Sequence, residues 1–327
     1  MRKRSCLEVA LALIGFLVLI FDSRHALEGA QEGIELCIKT VIPSLFPFFV
    51  LSSVLTNAFC GFTTFPMQRI AGLLGIPAEA SPVLITAVLG GYPVGAKSVA
   101  DLYQGGQISR EHAERLLAFC SNAGPSFLFG MVSGFFPDRT SVLLLWLIHI
   151  FSAVLTASTI PSPKISVQTP GLRKSRKQNS AVLSALKAMG LVCSWVILFR
   201  VWISFLERWC LWLLPGWTQV LLTGILELTN GCCALPIIED QNLRFVICAC
   251  LLAFGGICVL LQTASVTEGL SLRCYLKGKL KQSIFSFLLS CAVVSGQGLL
   301  IAGSVPILVL ILRKTEKRYG NPTVVPV

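Results

Sequence analysis

Residues 86–97, TAVLGGYPVGAK, constrain this chain more than any other stretch. An apolar run over 82–89 meets Gly90-Gly91-Tyr92-Pro93-Val94-Gly95 and then Lys97, with no polar linker on either side. Pro93 has no N–H to donate and the glycines cost backbone entropy, so a helix breaks here. A membrane tolerates broken backbone only where protein buries it or where it lines a wet cavity. Discontinuous helices of this kind hold substrate in transporters, with their free ends turned toward the ligand. We read the stretch as the tip of a re-entrant hairpin spanning 82–104. The bland alternative is an ordinary span kinked by Gly and Pro.

Composition agrees with a membrane setting. Of 327 residues, 54% are hydrophobic and 13% charged, with a mean hydropathy of +0.76. Soluble domains carry about 25% charged residues, so the expected class is an all-α polytopic membrane protein, multi-pass in the cell membrane. The net charge of +11 does not indicate nucleic acid. The basic residues sit in short clusters, Arg2-Lys3-Arg4, Arg173-Lys174 with Arg176-Lys177, 273–281 and 313–318. Such clusters beside apolar spans are positive-inside signals and attract anionic lipid head groups. The 13 cysteines fall mostly in apolar runs, for instance Cys120, Cys193 and Cys258, without C-x-x-C spacing or nearby histidines. They read as small packing residues rather than metal ligands or disulfides.

Taken in order, residues 1–40 form an N-terminal helix and an external segment. The apolar run at 7–21 looks like a signal-peptide core, but Phe21-Asp22-Ser23-Arg24-His25 is a poor cleavage site, so a retained first helix is expected. A first repeat follows at 41–160, with spans at 41–60, 116–136 and 141–160. Within it Ser109 is a plausible N-cap with His112 three residues on. Residues 161–180 form a basic cytoplasmic loop, and a second repeat at 181–312 carries its own hairpin at 216–240. A tail covers 313–327. Trp202, Trp209, Trp212 and Trp217 mark an interface, where amphipathic rings prefer to sit.

The two halves can be laid over one another. LTGILELTNGC at 222–232 matches ITAVLGGYPVG at 85–95, pairing Thr86 with Thr223 and Leu89 with Leu226. Downstream, Leu117-Ala118-Phe119 pairs with Leu252-Ala253-Phe254. Repeats with interrupted segments in corresponding positions point to a transporter site. With the N-terminus inside, the two hairpins dip from opposite faces, so the expected fold is two inverted repeats, each with a re-entrant helical hairpin. One feature disagrees: a single span at 283–312 would place the basic tail outside. The run is longer than the roughly 20 residues a span needs, and Gly296-Gln297-Gly298 interrupts it.

At these motifs the chain resembles the YlbJ-type sporulation integral membrane proteins with nucleoside-recognition gate domains. The resemblance rests on Gly90-Gly91-Tyr92-Pro93-Val94-Gly95-Ala96-Lys97, on Glu114-Arg115-Leu116-Leu117 leading to Phe119-Cys120-Ser121-Asn122-Ala123-Gly124-Pro125, and on Glu227-Leu228-Thr229-Asn230-Gly231 with a later Gln262. It covers roughly 41–287 and implies gate architecture related to that of concentrative nucleoside transporters. Cys232-Cys233 and Ile257-Cys258-Val259 stand where the family has more polar sequence. The resemblance also implies a link to dipicolinic acid transport in sporulation.

Polar groups at mid-membrane are expensive and mark solute or ion paths. The candidate substrate-binding residues are Gly91, Tyr92, Pro93, Gly95, Lys97, Asn122, Thr229, Asn230 and Gln262, with Glu227 as an ion-coupling carboxylate. Lys97, at a half-helix N-terminus, favours an anion; its bland reading is snorkelling to the interface. Glu227 could instead form a structural ion pair, and Asn122 could satisfy freed carbonyls. Asp101, Arg110, Glu111, Glu114 and Arg115 read as a solvated helix, and His25 and His149 stand alone. No nucleophile elbow, triad or phosphate loop is visible, so an enzyme is not expected. The expected activity is alternating-access transport of a small, anionic, dipicolinate-like solute. The alternatives are a nucleoside permease or a non-transporting component of a sporulation or envelope assembly. Expected partners are membrane lipids and the solute, with H+ or Na+ as coupling ion, no metal and no other cofactor; the sequence is compatible with a homo-oligomer.

Overall fold

The computed structural model describes residues 2–59, 64–163 and 180–296, and these are helical with no strand among them. The tail at 313–327, positions 164–179 of the central loop and the part of the 283–312 run beyond residue 296 lie outside the described residues. Four helices are long and apolar enough to cross a membrane: Ser23–Leu51, Arg139–Thr159, Ala181–Trp209 and Gln241–Val266. A fifth is added if Phe65–Leu73 and Ala78–Leu89, bent by 111°, count as one broken span.

The first helix, α1, runs Arg2–Phe21 and leaves Phe16 and Phe21 exposed. Helix α2 (Ser23–Leu36) passes through a π-helical turn, Cys37–Val41, into α3 (Ile42–Phe59). The charged segment anticipated outside the membrane is therefore continuous with the span that follows it. Gly29 and Gly33 explain its placement: four residues apart, they bring the α2 backbone against α9 (Ala181–Trp209). A side-chain carbon added at Gly33 would lie 2.9 Å from Ile197 Cα, so only glycine permits this small-xxx-small approach. Arg200 of α9 secures the pair, donating to Glu32 of α2 and to Glu207 at 2.9 Å.

Next come α4 (Phe65–Leu73), α5 (Val83–Leu89), α6 (Val94–Gln104) and α7 (Arg110–Cys120). Ser109 caps α7 by accepting from the His112 amide at 3.3 Å, as its position in sequence suggests. After α7 the backbone leaves helix over 121–124 and re-enters it at Pro125 as a π turn, Ser126–Met131, so the span anticipated at 116–136 is broken. Helix α8 (Arg139–Thr159) starts at Asp138, whose carboxylate accepts from the Ser141 amide at 2.7 Å and hydroxyl at 2.8 Å. These bonds hold the Asp138 carboxyl below its ordinary value.

The second half has the same order. Long α9 precedes α10 (Gly216–Leu226), a break at Glu227, α11 (Leu228–Cys233), α12 (Gln241–Phe254), a break at Gly255, α13 (Gly256–Val266) and α14 (Arg273–Val294). Element pairings also recur: α5 packs on α6 and α10 on α11, α3 on α5 and α9 on α10, α7 on α14 and α12 on α8. One apolar core joins α3, α8, α9 and α12, and a second surrounds α5 to α7. Trp209, Trp212 and Trp217 stay exposed, as rings seated at a membrane interface do.

Arg115 departs from its sequence reading. It is buried and donates to Leu74 O (2.8 Å), Gly75 O (3.1 Å), Ala157 O (3.2 Å) and Ile160 O (3.2 Å). One guanidinium thus answers the unpaired terminal carbonyls of α4 and α8.

A buried polar site at four helix breaks

Four interruptions define the centre of the molecule: Gly90–Pro93 between α5 and α6, 121–124 after α7, Glu227 between α10 and α11, and Gly255 between α12 and α13. Each frees backbone groups that need partners. Glycines bring the four together. A side-chain carbon added at Gly124 would lie 2.9 Å from Gly91 Cα and N, so the first two breaks touch backbone to backbone. One added at Gly255 would lie 3.2 Å from the Tyr92 hydroxyl, and one at Gly256 3.0 Å from Gly224 O. Gly91 (φ +68), Gly255 (φ +84) and Gly256 (φ +82) adopt left-handed backbone that glycine alone enters without strain.

The first pair of breaks is stabilised from a distance. Lys279 of α14 is 1% exposed and donates to the Tyr92 hydroxyl at 3.2 Å, to Ser121 O and to Gln282 Oε1 at 2.9 Å. Gln282 Nε2 donates to Asn122 Oδ1 at 3.0 Å and His149 O at 3.3 Å. Asn122 Nδ2 in turn donates to Phe119 O at 2.8 Å and Ala87 O at 3.3 Å. His149 accepts from the Ala123 amide at Nε2, 3.0 Å. Tyr92 donates to Leu252 O at 3.2 Å, which ties the α5–α6 tip to the second half.

The Glu227 break is stabilised locally. The buried Glu227 carboxylate caps α11, accepting from the Asn230 amide at 2.7 Å and side chain at 2.8 Å. Among the described residues no cation lies within ion-pair distance of Glu227.

Between the breaks lies a cavity of about 30 Å³ whose wall includes Tyr92, Gly124, Ser126, Glu227, Thr229 and Gln262. A water needs roughly 10–15 Å³ of such space, so the cavity has room for about two waters or one ion. Of the residues singled out in sequence, Gly91, Tyr92, Thr229, Gln262 and Glu227 reach this wall. Asn122 and Asn230 bond to the groups around it. Pro93 starts α6, and Gly95 packs against the Cys120 carbonyl; neither lines the cavity. Lys97 lies outside as well, with a 46% exposed side chain 3.6 Å from Asp101.

Sequence reasoning missed Lys279, Gln282 and His149. Lys279 was read as part of a positive-inside basic cluster at 273–281, and His149 as standing alone. The available signal was periodicity: Tyr275, Lys279, Gln282, Ser286 and Ser290 recur at three and four residues and are all buried, a polar stripe along one face of α14. Ser152 and Thr156 continue the same pattern from His149 on α8. Among the described residues no group of three or more His, Cys, Asp or Glu could hold a metal ion.

No family model matches the chain, and no solved structure matches it. It is 28% identical over 301 residues, covering 78% of this chain and 73% of the relative, to the sporulation integral membrane protein YlbJ of Bacillus subtilis (strain 168). That similarity supports the YlbJ family, and with the apolar spans it makes this chain a multi-pass integral protein of the cell membrane.

Proposed function

We propose that the chain is a secondary transporter for a small polar organic solute. In this reading it works by alternating access between two inverted halves, each with a re-entrant hairpin, at 82–104 and 216–240, of the nucleoside-recognition gate type. The observation that carries it is the meeting of three helix breaks, at Gly91-Tyr92, Ala123-Gly124 and Glu227, on one cavity with Thr229 and Gln262 also on its wall. Polar groups buried in a membrane protein are costly and mark solute or ion paths. Ligand pockets for organic molecules hold about 300–1,000 Å³, so a cavity of about 30 Å³ corresponds to a closed state, and loading requires the hairpins to part. Glu227 is the carboxylate for a coupling H+ or Na+.

Preference for an anion rested on Lys97, which stands outside the cavity, and the wall carries no cation. The reading therefore takes in neutral polar solutes such as nucleosides alongside dipicolinate-like carboxylates. The name of the Bacillus relative supports a place in sporulation. A second reading, a non-transporting component of a sporulation membrane assembly, is favoured by the small cavity and by the largely satisfied polar groups around it.

A thermal-shift screen of the detergent-purified chain against dipicolinate, other small carboxylates and nucleosides tests the proposal, since a binder raises the melting temperature by mass action. Stabilisation by one class, lost in Gln262→Leu, is the expected result. Silence from the whole panel would put the assembly reading in front.

A further inference from the structure

Lys279 is a buried amine without a carboxylate partner. Among the described residues no carboxylate lies within ion-pair distance of it, yet its side chain is enclosed. Its three N–H donors are matched by three neutral oxygens from three places in the fold: the Tyr92 hydroxyl at the α5–α6 tip, the Ser121 carbonyl at the end of α7, and Gln282 Oε1 on α14 itself. An ammonium has three donors and no acceptor, so none remains free for a ligand anion. The C-terminal end of α7 adds partial negative charge at this point. The Tyr92 and Tyr275 ring centroids, 5.1 and 5.9 Å from Nζ, also suit a cation. The buried Ser121 and Tyr275 hydroxyls stand beside one another. This is an oxygen-rich setting at a broken helix, of the kind in which unwound carbonyls and half-helix ends coordinate a monovalent cation.

We propose that the Lys279 ammonium is a tethered cation, filling from within the chain an oxygen-lined position that would otherwise take a monovalent metal ion. It neutralises the end of α7 and holds the α5–α6 tip closed with no added ion. The coupling ion of the transport reading is then confined to Glu227, on the cavity wall. The inference depends on that reading only for this last consequence. Its test contains no solute, so the two fail separately.

The experiment measures the melting temperature of the full-length chain in detergent, in sodium, potassium or choline chloride at equal ionic strength. The wild type should melt at one temperature in all three. Lys279→Ala should melt lower in choline and recover by roughly 5 °C, saturably, as sodium or potassium is raised to about 300 mM. Adding Gln282→Leu removes an oxygen and should abolish the recovery. Equal loss of stability by Lys279→Ala in all three salts would overturn the proposal, as would a sodium-specific gain by the wild type. If the alanine chain does not accumulate, Lys279→Ser is produced in about 300 mM potassium throughout, because a cation at that concentration should occupy the vacated position. No recoverable chain under those conditions overturns it too.

Discussion

The two halves of the molecule solve one problem, a helix broken inside a membrane protein, by opposite means. At Glu227 the carboxylate lies three residues from the Asn230 groups it binds. At Gly90–Pro93 and 121–124 the partners come from far along the chain: Lys279 is 187 positions from Tyr92, and Gln282 is 160 from Asn122. The Glu227 break caps itself with a local motif, whereas the α12 end at Gly255 takes its bond from distant Tyr92. The first pair of breaks is complete only when α14 and α8 have docked. A break stabilised by distant groups depends on the packing of the whole, and one stabilised by neighbours does not.

The strongest test of this contrast leaves the polar groups alone and attacks the glycine contacts common to both halves. Gly231→Ala would place its Cβ on the Gly224 backbone, and Gly124→Ala would place it 2.9 Å from that of Gly91. Backbone cannot step aside as a side chain can, so each should cost about 3 kcal/mol, read as a fall in melting temperature. An unchanged melting temperature in either would dissolve the close approach on which the four-break site rests.

Gln282→Leu comes next. It strips one acceptor from Lys279 and leaves Asn122 Oδ1 without its donor. Each buried group left unpaired costs about 1–3 kcal/mol, so a loss of about 2 kcal/mol is expected. Glu227→Gln keeps an acceptor oxygen for Asn230 and weakens a charge-assisted bond to a neutral one, which should cost about 1 kcal/mol. If Glu227→Gln proves the more damaging of the two, the division into a distant and a local solution is wrong. The same variant should remove dependence of uptake on the proton or sodium gradient.

The smallest effect is expected at Lys97. Its contact with Asp101 is exposed, and such pairs contribute under about 1 kcal/mol. Lys97→Ala should leave melting within that range and leave unchanged any solute binding seen in the screen. Loss of binding with folding intact would return Lys97 to the site.

How much of this was legible follows the same division. Ser109 as a cap of α7 and the break at Gly90–Pro93 could be read directly, because each depends on residues within a few positions of one another. The break expected after LTGILELTNG at 222–231 falls a few residues earlier, at Glu227. Arg115, His149 and Lys279 could not. A basic residue in a polar stretch looks solvated, and nothing nearby reveals that the terminal carbonyls of α4 and α8 await the Arg115 guanidinium. Lys97 misled for the complementary reason: its neighbourhood in sequence promised burial, but the helix turned it outward.

By itself the sequence determined a membrane protein of helices, through an excess of apolar over charged residues, and it determined the break at Gly90–Pro93, through glycine and proline at particular bonds. Only the tertiary structure decided which polar groups complete those breaks and which lysine is buried. Enclosing a charge is tolerable only where several oxygens converge on it, and the convergence of Tyr92, Ser121 and Gln282 on Lys279 exists only once elements from both halves have packed.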